Sequence, residues 1–322
     1  MGMLVDGQWV DENETKNKTD KSGAFKRTES GFRNWVTKDG SAGPGGESGF
    51  APERGRYHLY VAMNCPWAHR TLLMRTFKGL EDTITLDKTV PGRTDQGWYF
   101  NDEYVDTVLG KSALHQVYTE ADTNCTGRVT VPVLWDRERE TIVSNESSEI
   151  IRMMNDGFAA FSNGDRDMYP EDLQSEIDDW NDLIYNTINN GVYRAGFSTS
   201  QSAYDEAVRG VFKTLDKLEA RLSDNRYLCG DRLTEADVRL FPTMIRFDVA
   251  YFGAFKCNIR RLIDYPNLWA YTREIYQMPG VSDTVDLETY KRGYYSKSPL
   301  RNPTGIVPLG PDIDPNVPHG RG

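Results

Sequence analysis

The sequence has no run of eighteen apolar residues, no CxxC pair, no histidines at metal-ligand spacing and no excess of positive charge. Each absence removes a class of protein. Without a long apolar run no helix crosses a bilayer, and the opening MGMLVDGQWVDENETKNKTDKSG lacks the apolar stretch behind a basic start that a secretory signal needs. The 38 basic residues face 48 acidic ones, and a net charge of -10 repels polyanions, so no nucleic-acid partner is expected. Cys65, Cys125, Cys229 and Cys257 lie far apart, which argues against a zinc ribbon or a disulfide scaffold and for a reducing, cytoplasmic setting without a membrane partner. His58, His69, His115 and His319 never fall in HxH or HxxxH spacing, so no metal is expected.

What is present is 322 residues with 38% hydrophobic and 27% charged content, enough for two packed cores. Residues 1–50 are polar and end in the glycine-rich run 40–49, which reads as an arm with Phe32 and Trp35 as anchors. From 51 to about 160 strand and helix signals alternate. An apolar strand over 57–63 runs into Asn64-Cys65-Pro66-Trp67-Ala68-His69-Arg70, and the spacing predicts a helix over 66–78 with proline inside its start and Gly79 past its end. Short strands follow at 84–88 and 142–143, and a helix with capping residues begins at 145. The strand pattern of 128–135 carries Pro132 in its middle, where a ladder donor is lost and a cis peptide would turn Val131 toward a bound peptide. From 161 to 322 apolar residues recur at three- and four-residue spacing, predicting a helical bundle. Thr234 and Asp237 form a capping box ahead of a helix over 238–247, and an extended tail is expected from 278 onward.

A cysteine at a helix N-cap lies over unpaired backbone N–H groups and the positive end of the helix dipole, which favour thiolate over thiol. Position 68, three residues after Cys65, is alanine, so no local thiol closes a disulfide and the resolving thiol must come from outside. Glutathione is the obvious candidate. Val131 offers it backbone groups, Glu146 can pair an ammonium, and Ser147 can hold a carboxylate.

These motifs, together with Gly97-Trp98, Arg128-Val129-Thr130-Val131-Pro132, Asn190-Gly191-Val192-Tyr193, Arg246-Phe247-Asp248, Tyr276-Gln277-Met278-Pro279-Gly280 and Asn302-Pro303-Thr304-Gly305-Ile306-Val307-Pro308, resemble the xi-class glutathione transferases, the glutathionyl-hydroquinone reductases. The resemblance implies an α/β thioredoxin-like N-terminal domain followed by an all-α helical-bundle C-terminal domain, the glutathione transferase fold. It places the nucleophile on Cys65 and glutathione contacts on Trp67, Trp98, Arg128, Val129, Thr130, Val131, Pro132, Glu146 and Ser147. An acid/base tyrosine falls on Tyr193, and two further tyrosines that favour the thiolate fall on Tyr251 and Tyr294. It implies glutathione as co-substrate, glutathionylated aromatic hydroquinones as substrates and a homodimer. The readings to be separated from this one are an omega-like thioltransferase or dehydroascorbate reductase, and a non-catalytic binder of phenolic ligands.

Overall fold

In the computed structural model, residues 2–10, 19–163, 166–299 and 301–322 are described. They divide into two units, Met1–Lys16 with Thr28–Asp167, and Asn17–Arg27 with Met168–Gly322.

The first unit is α/β and thioredoxin-like. Strands β1 (Met3–Val5) and β2 (Gln8–Val10) form an N-terminal hairpin. Strand β3 (Tyr57–Val61) is buried along its whole length, as its unbroken apolar and aromatic text requires. Helix α1 (Pro66–Phe77) follows after a short connection, then β4 (Thr85–Lys88), which lies parallel to β3. Helix α2 (Leu114–Ala121) leads to β5 (Gly127–Arg128), β6 (Val133–Asp136), β7 (Thr141–Ser144) and α3 (Ser147–Arg152). The main sheet has the order β4-β3-β6-β7, with β6 antiparallel to both β3 and β7. Leu59, Val61, Leu72, Leu73, Leu134, Trp135, Ile142 and Ile150 are buried in its core. Each such side chain contributes about 1.5–3 kcal/mol of burial free energy.

Helix α1 obeys its sequence signals. Proline occupies its first turn, and Gly79 beyond its end takes φ +61° with its N–H donated to Thr76 O. The pattern expected as one strand over 128–135 is interrupted: β5 ends at Arg128, the Val131-Pro132 peptide is cis, and β6 starts only at Val133. Two elements had no counterpart in the sequence pattern, the N-terminal hairpin and α2. Residues 28–50 of the polar segment belong to this unit, where Val36 and Phe50 are buried and Phe32 meets the Tyr118 ring edge-on at 5.7 Å.

The second unit is helical: α4 (Gln174–Ile184), α5 (Gly191–Phe197), α6 (Gln201–Asp224), α7 (Glu235–Met244), the single turn α8 (Phe252–Ala254), α9 (Pro266–Tyr276) and α10 (Leu287–Tyr294). The capping box is present, with Asp237 Oδ2 accepting from the Thr234 N–H at 2.8 Å, but α7 starts at Glu235 and ends at Met244 because the box sets the first turn directly after Thr234. The segment expected to be an extended tail from 278 onward contains α10, which is capped by Asp286 through a bond from the Thr289 N–H at 2.9 Å. The prolines that suggested extension, Pro303, Pro308 and Pro311, all lie beyond that helix. Among the described residues no helix is long and apolar enough to cross a membrane.

Candidate functional site

Cys65 is the N-cap residue of α1, with extended backbone angles that turn the chain into the helix. It is half-buried, whereas Cys125, Cys229 and Cys257 are buried; all four are free thiols. Burial pushes the Cys125 thiol up, that of Cys229 to about 11 and that of Cys257 to about 12. The Cys65 Sγ donates to Val131 O at 3.5 Å, so the carbonyl ahead of the cis proline and the sulfur share one spot. Proline locks the angle of the first helical residue and leaves the following amides directed at the N-cap.

Val129, Val131 and Pro132 are buried, while Arg128 and Thr130 are half-buried. Thr130 among them is held by one hydroxyl. Tyr118 on α2 donates to Thr130 O at 2.8 Å, accepts from the Thr130 N–H at 3.2 Å, and accepts from Asn145 Nδ2 at 3.1 Å. Burial raises the Tyr118 phenol, which keeps it a neutral donor.

Asn145 in turn precedes Glu146, the N-cap of α3. Glu146 Oε1 accepts from the Ser148 N–H at 3.0 Å and its hydroxyl at 2.8 Å, and Oε2 accepts from Ser30 Oγ at 3.0 Å. Burial works to raise this carboxyl, but those three bonds and the charge of Arg70 outweigh it and hold Glu146 below its ordinary value. Arg70 is itself buried on α1, one turn beyond Trp67, with its guanidinium 4.5 Å from the Trp67 ring centroid. Trp67 and Glu146 are thus linked through a cation. Ser147 is buried at the first position of α3. Trp98 is buried in the loop before α2, its carbonyl accepting from the Leu114 N–H at 2.9 Å and its ring covered by the Arg93 guanidinium at 4.2 Å.

The three tyrosines singled out in the sequence belong to the second unit and are brought together there. The Tyr294 hydroxyl is central, 2.7 Å from the Tyr193 hydroxyl and 3.1 Å from that of Tyr251. Tyr193 and Tyr294 are half-exposed and Tyr251 is fully buried. Burial raises the Tyr251 and Tyr294 phenols well above their ordinary value, with the charge of Tyr193 adding to both and that of Tyr251 adding to Tyr294, so they stay protonated at neutral pH. Aromatic rings surround the triad: Phe255 lies 5.2 Å from Tyr193 and 5.4 Å from Tyr294, and Phe25 stacks on Phe197 at 5.4 Å.

Sequence reasoning missed Arg70, Ser30 and Tyr118. Arg70 carried a signal, since it stands three residues after Trp67 on the same helical face. Ser30 and Tyr118 act over separations of more than 100 and of 12 residues respectively, and nothing local marks either. Among the described residues no group of histidine, cysteine, aspartate and glutamate is arranged to hold a metal.

Comparison with known proteins places this geometry in a lineage. The family described as glutathione S-transferase, N-terminal domain, matches residues 64–156, and that described as glutathione S-transferase, C-terminal domain, matches residues 201–274. The chain is 50% identical to glutathionyl-hydroquinone reductase YqjG of Escherichia coli, covering all of this chain and 98% of that protein. It is 47% identical to glutathionyl-hydroquinone reductase PcpF of Sphingobium chlorophenolicum, covering 97% and 96%. Among solved structures, the glutathione-bound YqjG superposes with a TM-score of 0.90 at 49% identity over 99% of this chain and 98% of that one. A xi-class transferase from Natrialba magadii gives 0.89 at 45% over 100% and 96%. The chain therefore belongs to the glutathione transferase family, in its xi class of glutathionyl-hydroquinone reductases.

Proposed function

We propose that the chain is a glutathionyl-hydroquinone reductase that uses glutathione to release free hydroquinone from S-glutathionyl-hydroquinones, with Cys65 as the nucleophile. The Cys65 thiolate attacks the glutathione sulfur; an S–S bond forms and the sulfur–ring carbon bond breaks. The electron pair passes to the ring carbon, which takes up a proton, and free hydroquinone leaves. A second glutathione thiolate then attacks the mixed disulfide, giving oxidised glutathione and returning the Cys65 thiolate. The peptide part of glutathione lies along Val131 and its neighbours Arg128, Val129, Thr130 and Pro132, with Trp67 and Trp98 beside it and its ammonium and carboxylate at Glu146 and Ser147. A hydroxyl of the tyrosine triad, Tyr193 by preference, supplies the proton, and Tyr251 and Tyr294 orient it.

The observation that carries this reading is the pairing of a half-exposed Cys65 at the start of α1 with the Val131 carbonyl, in a chain whose other three thiols are buried. The neutral state of Tyr251 and Tyr294 supports the triad as proton donor rather than base. A cytoplasmic homodimer is the assembly we propose on the family resemblance, and sedimentation tests its stoichiometry.

Mass spectrometry after incubation with a glutathionyl-hydroquinone tests the chemistry. We expect one glutathione adduct, on Cys65, and loss of hydroquinone release in Cys65→Ala. An adduct elsewhere, or turnover that survives the substitution, removes Cys65 from the mechanism. Faster turnover of a glutathionylated disulfide than of the aromatic conjugate identifies a thioltransferase instead.

A further inference from the structure

The N-terminal hairpin touches two separate segments of the same unit. Strand β1 pairs antiparallel with β5, with Met3 opposite Arg128 and Leu4 opposite Gly127. The turn of the hairpin is fixed to the same segment: the Gly7 N–H donates to Cys125 O at 3.0 Å and the Asp6 N–H to Thr126 Oγ1 at 2.8 Å. Leu4 is fully buried beneath it.

Trp9 on β2 reaches the second segment. Its indole Nε1–H donates to Asp95 O at 2.8 Å, and its ring stacks on His115 with centroids 4.7 Å apart and planes inclined by 14°. Burial lowers the His115 imidazole, so the stack is between two neutral rings. His115 Nε2 lies 3.1 Å from Gln96 Oε1. The turn beneath Trp9 is closed by reciprocal bonds between Thr94 and Gly97, both at 3.1 Å, and leads directly into Trp98. Gly97 adopts φ +75°, and a Cβ there would stand 2.9 Å from the Trp9 ring, so both the backbone conformation and the close approach require glycine.

We infer that the hairpin of residues 3–10 is a positioning element of the glutathione subsite, in which Trp9 fixes the turn carrying Trp98 while β1 fixes the strand end carrying Arg128. The inference rests on the assignment of Trp98 and residues 128–131 to glutathione binding. Neither segment is held in the main sheet: β5 pairs with β1, and the turn at 94–97 precedes α2 in a long connection. The hairpin supplies the order that the sheet does not. Trp9 and β1 touch no reacting atom in this scheme; they act through the residues they hold.

The test is the affinity of the full chain for reduced glutathione, measured by calorimetry in Trp9→Ala and Trp9→Phe, alongside steady-state kinetics and thermal melting. Trp9→Ala is expected to weaken glutathione binding, and to raise the KM for glutathione, by about three- to tenfold, the worth of roughly one lost hydrogen bond with its packing. The kcat at saturating glutathione should change less than the KM. Trp9→Phe keeps the stack on His115 and loses only the bond to Asp95, so it should recover part of the affinity. A purely structural hairpin would lower the melting temperature and leave glutathione affinity untouched in both variants, and that result overturns the inference. If Trp9→Ala does not fold, unchanged affinity in Trp9→Phe has the same force. Wild-type chain that binds glutathione yet releases no hydroquinone would count against the proposed reaction and not against the hairpin.

Discussion

Replacing Tyr118 with phenylalanine removes one oxygen and disturbs three elements at once. That hydroxyl is satisfied in every direction, donating to Thr130 O and accepting from the Thr130 N–H and from Asn145 Nδ2. Phenylalanine fills the same space, so no cavity term arises and the cost is that of two donors and one carbonyl losing their partner. A buried polar group left unpaired costs about 1–3 kcal/mol. Asn145 is buried but Thr130 is half-buried and regains part of its loss from water, so the sum is roughly 2–4 kcal/mol for the first unit. At about 2–4 °C per kcal/mol for a unit of this size, its melting transition should fall by roughly 4–16 °C. The same freedom reaches the sulfur, because Val131, whose carbonyl accepts from Cys65, is the next residue after Thr130. The KM for glutathione should therefore rise, by about tenfold on the energy of one or two hydrogen bonds. Differential scanning calorimetry read beside steady-state kinetics checks both. A variant that melts with the wild type and keeps its KM would refute the claim that this hydroxyl holds Thr130 ahead of the cis proline.

Iodoacetamide should modify the native chain at Cys65 alone and reach all four thiols after denaturation, because Cys229 and Cys257 are buried with thiols pushed up to about 11 and about 12; a second native adduct in the peptide map speaks against the assignment of the other cysteines to packing. Tyr193→Phe should slow hydroquinone release by about a hundredfold and Tyr294→Phe by less, since general-acid groups contribute roughly 10²–10⁴ and Tyr294 acts through its neighbours; equal kcat for both variants and the wild type would exclude the triad from the rate-limiting proton transfer. Asp237, raised to about 6 by burial despite its bonds from Thr234, Leu228 and Tyr271, binds a proton more tightly folded than unfolded. Its contribution to stability is full below the ordinary value of 3.8 and is lost as pH rises through about 6, so Asp237→Asn should flatten that part of the stability–pH curve in urea titrations while costing about 1–3 kcal/mol through the Thr234 N–H it no longer accepts. Glu146 is the opposite case: held below its ordinary 4.5, it stabilises above that value and loses the contribution as pH falls through its lowered one, a dependence that Glu146→Gln should abolish.

Features that depend on neighbours in the chain were legible, and those that depend on distant partners were not. Cys65 at the N-cap followed from a strand, a proline and a helix in sequence, and the break at Pro132 followed from the missing donor. The capping box at Thr234 was readable because its two residues are three apart, although the end of α7 was misplaced by three residues. The hairpin of residues 3–10 was invisible because each strand has three residues and β1 finds its second partner at Arg128, so no local period announces it. Helix α10 was hidden by tyrosines and a glycine that suit a loop equally well; its packing on the segment Phe247–Tyr251, with Arg246 lying 3.6 Å over the Tyr290 ring, overrides that weak preference. The same division runs through the site. The sequence marks the proposed nucleophile, because a cysteine at an N-cap and the helix it caps are contiguous. The other groups, Tyr118 and Ser30 for the first unit and the meeting of Tyr193 with Tyr294 across 101 residues for the second, exist only once the chain has closed on itself. A substitution at Cys65 should therefore abolish the chemical step, one at Tyr118 or Ser30 should shift affinities and melting temperatures while the step survives, and one at Tyr193 should slow the step without removing it.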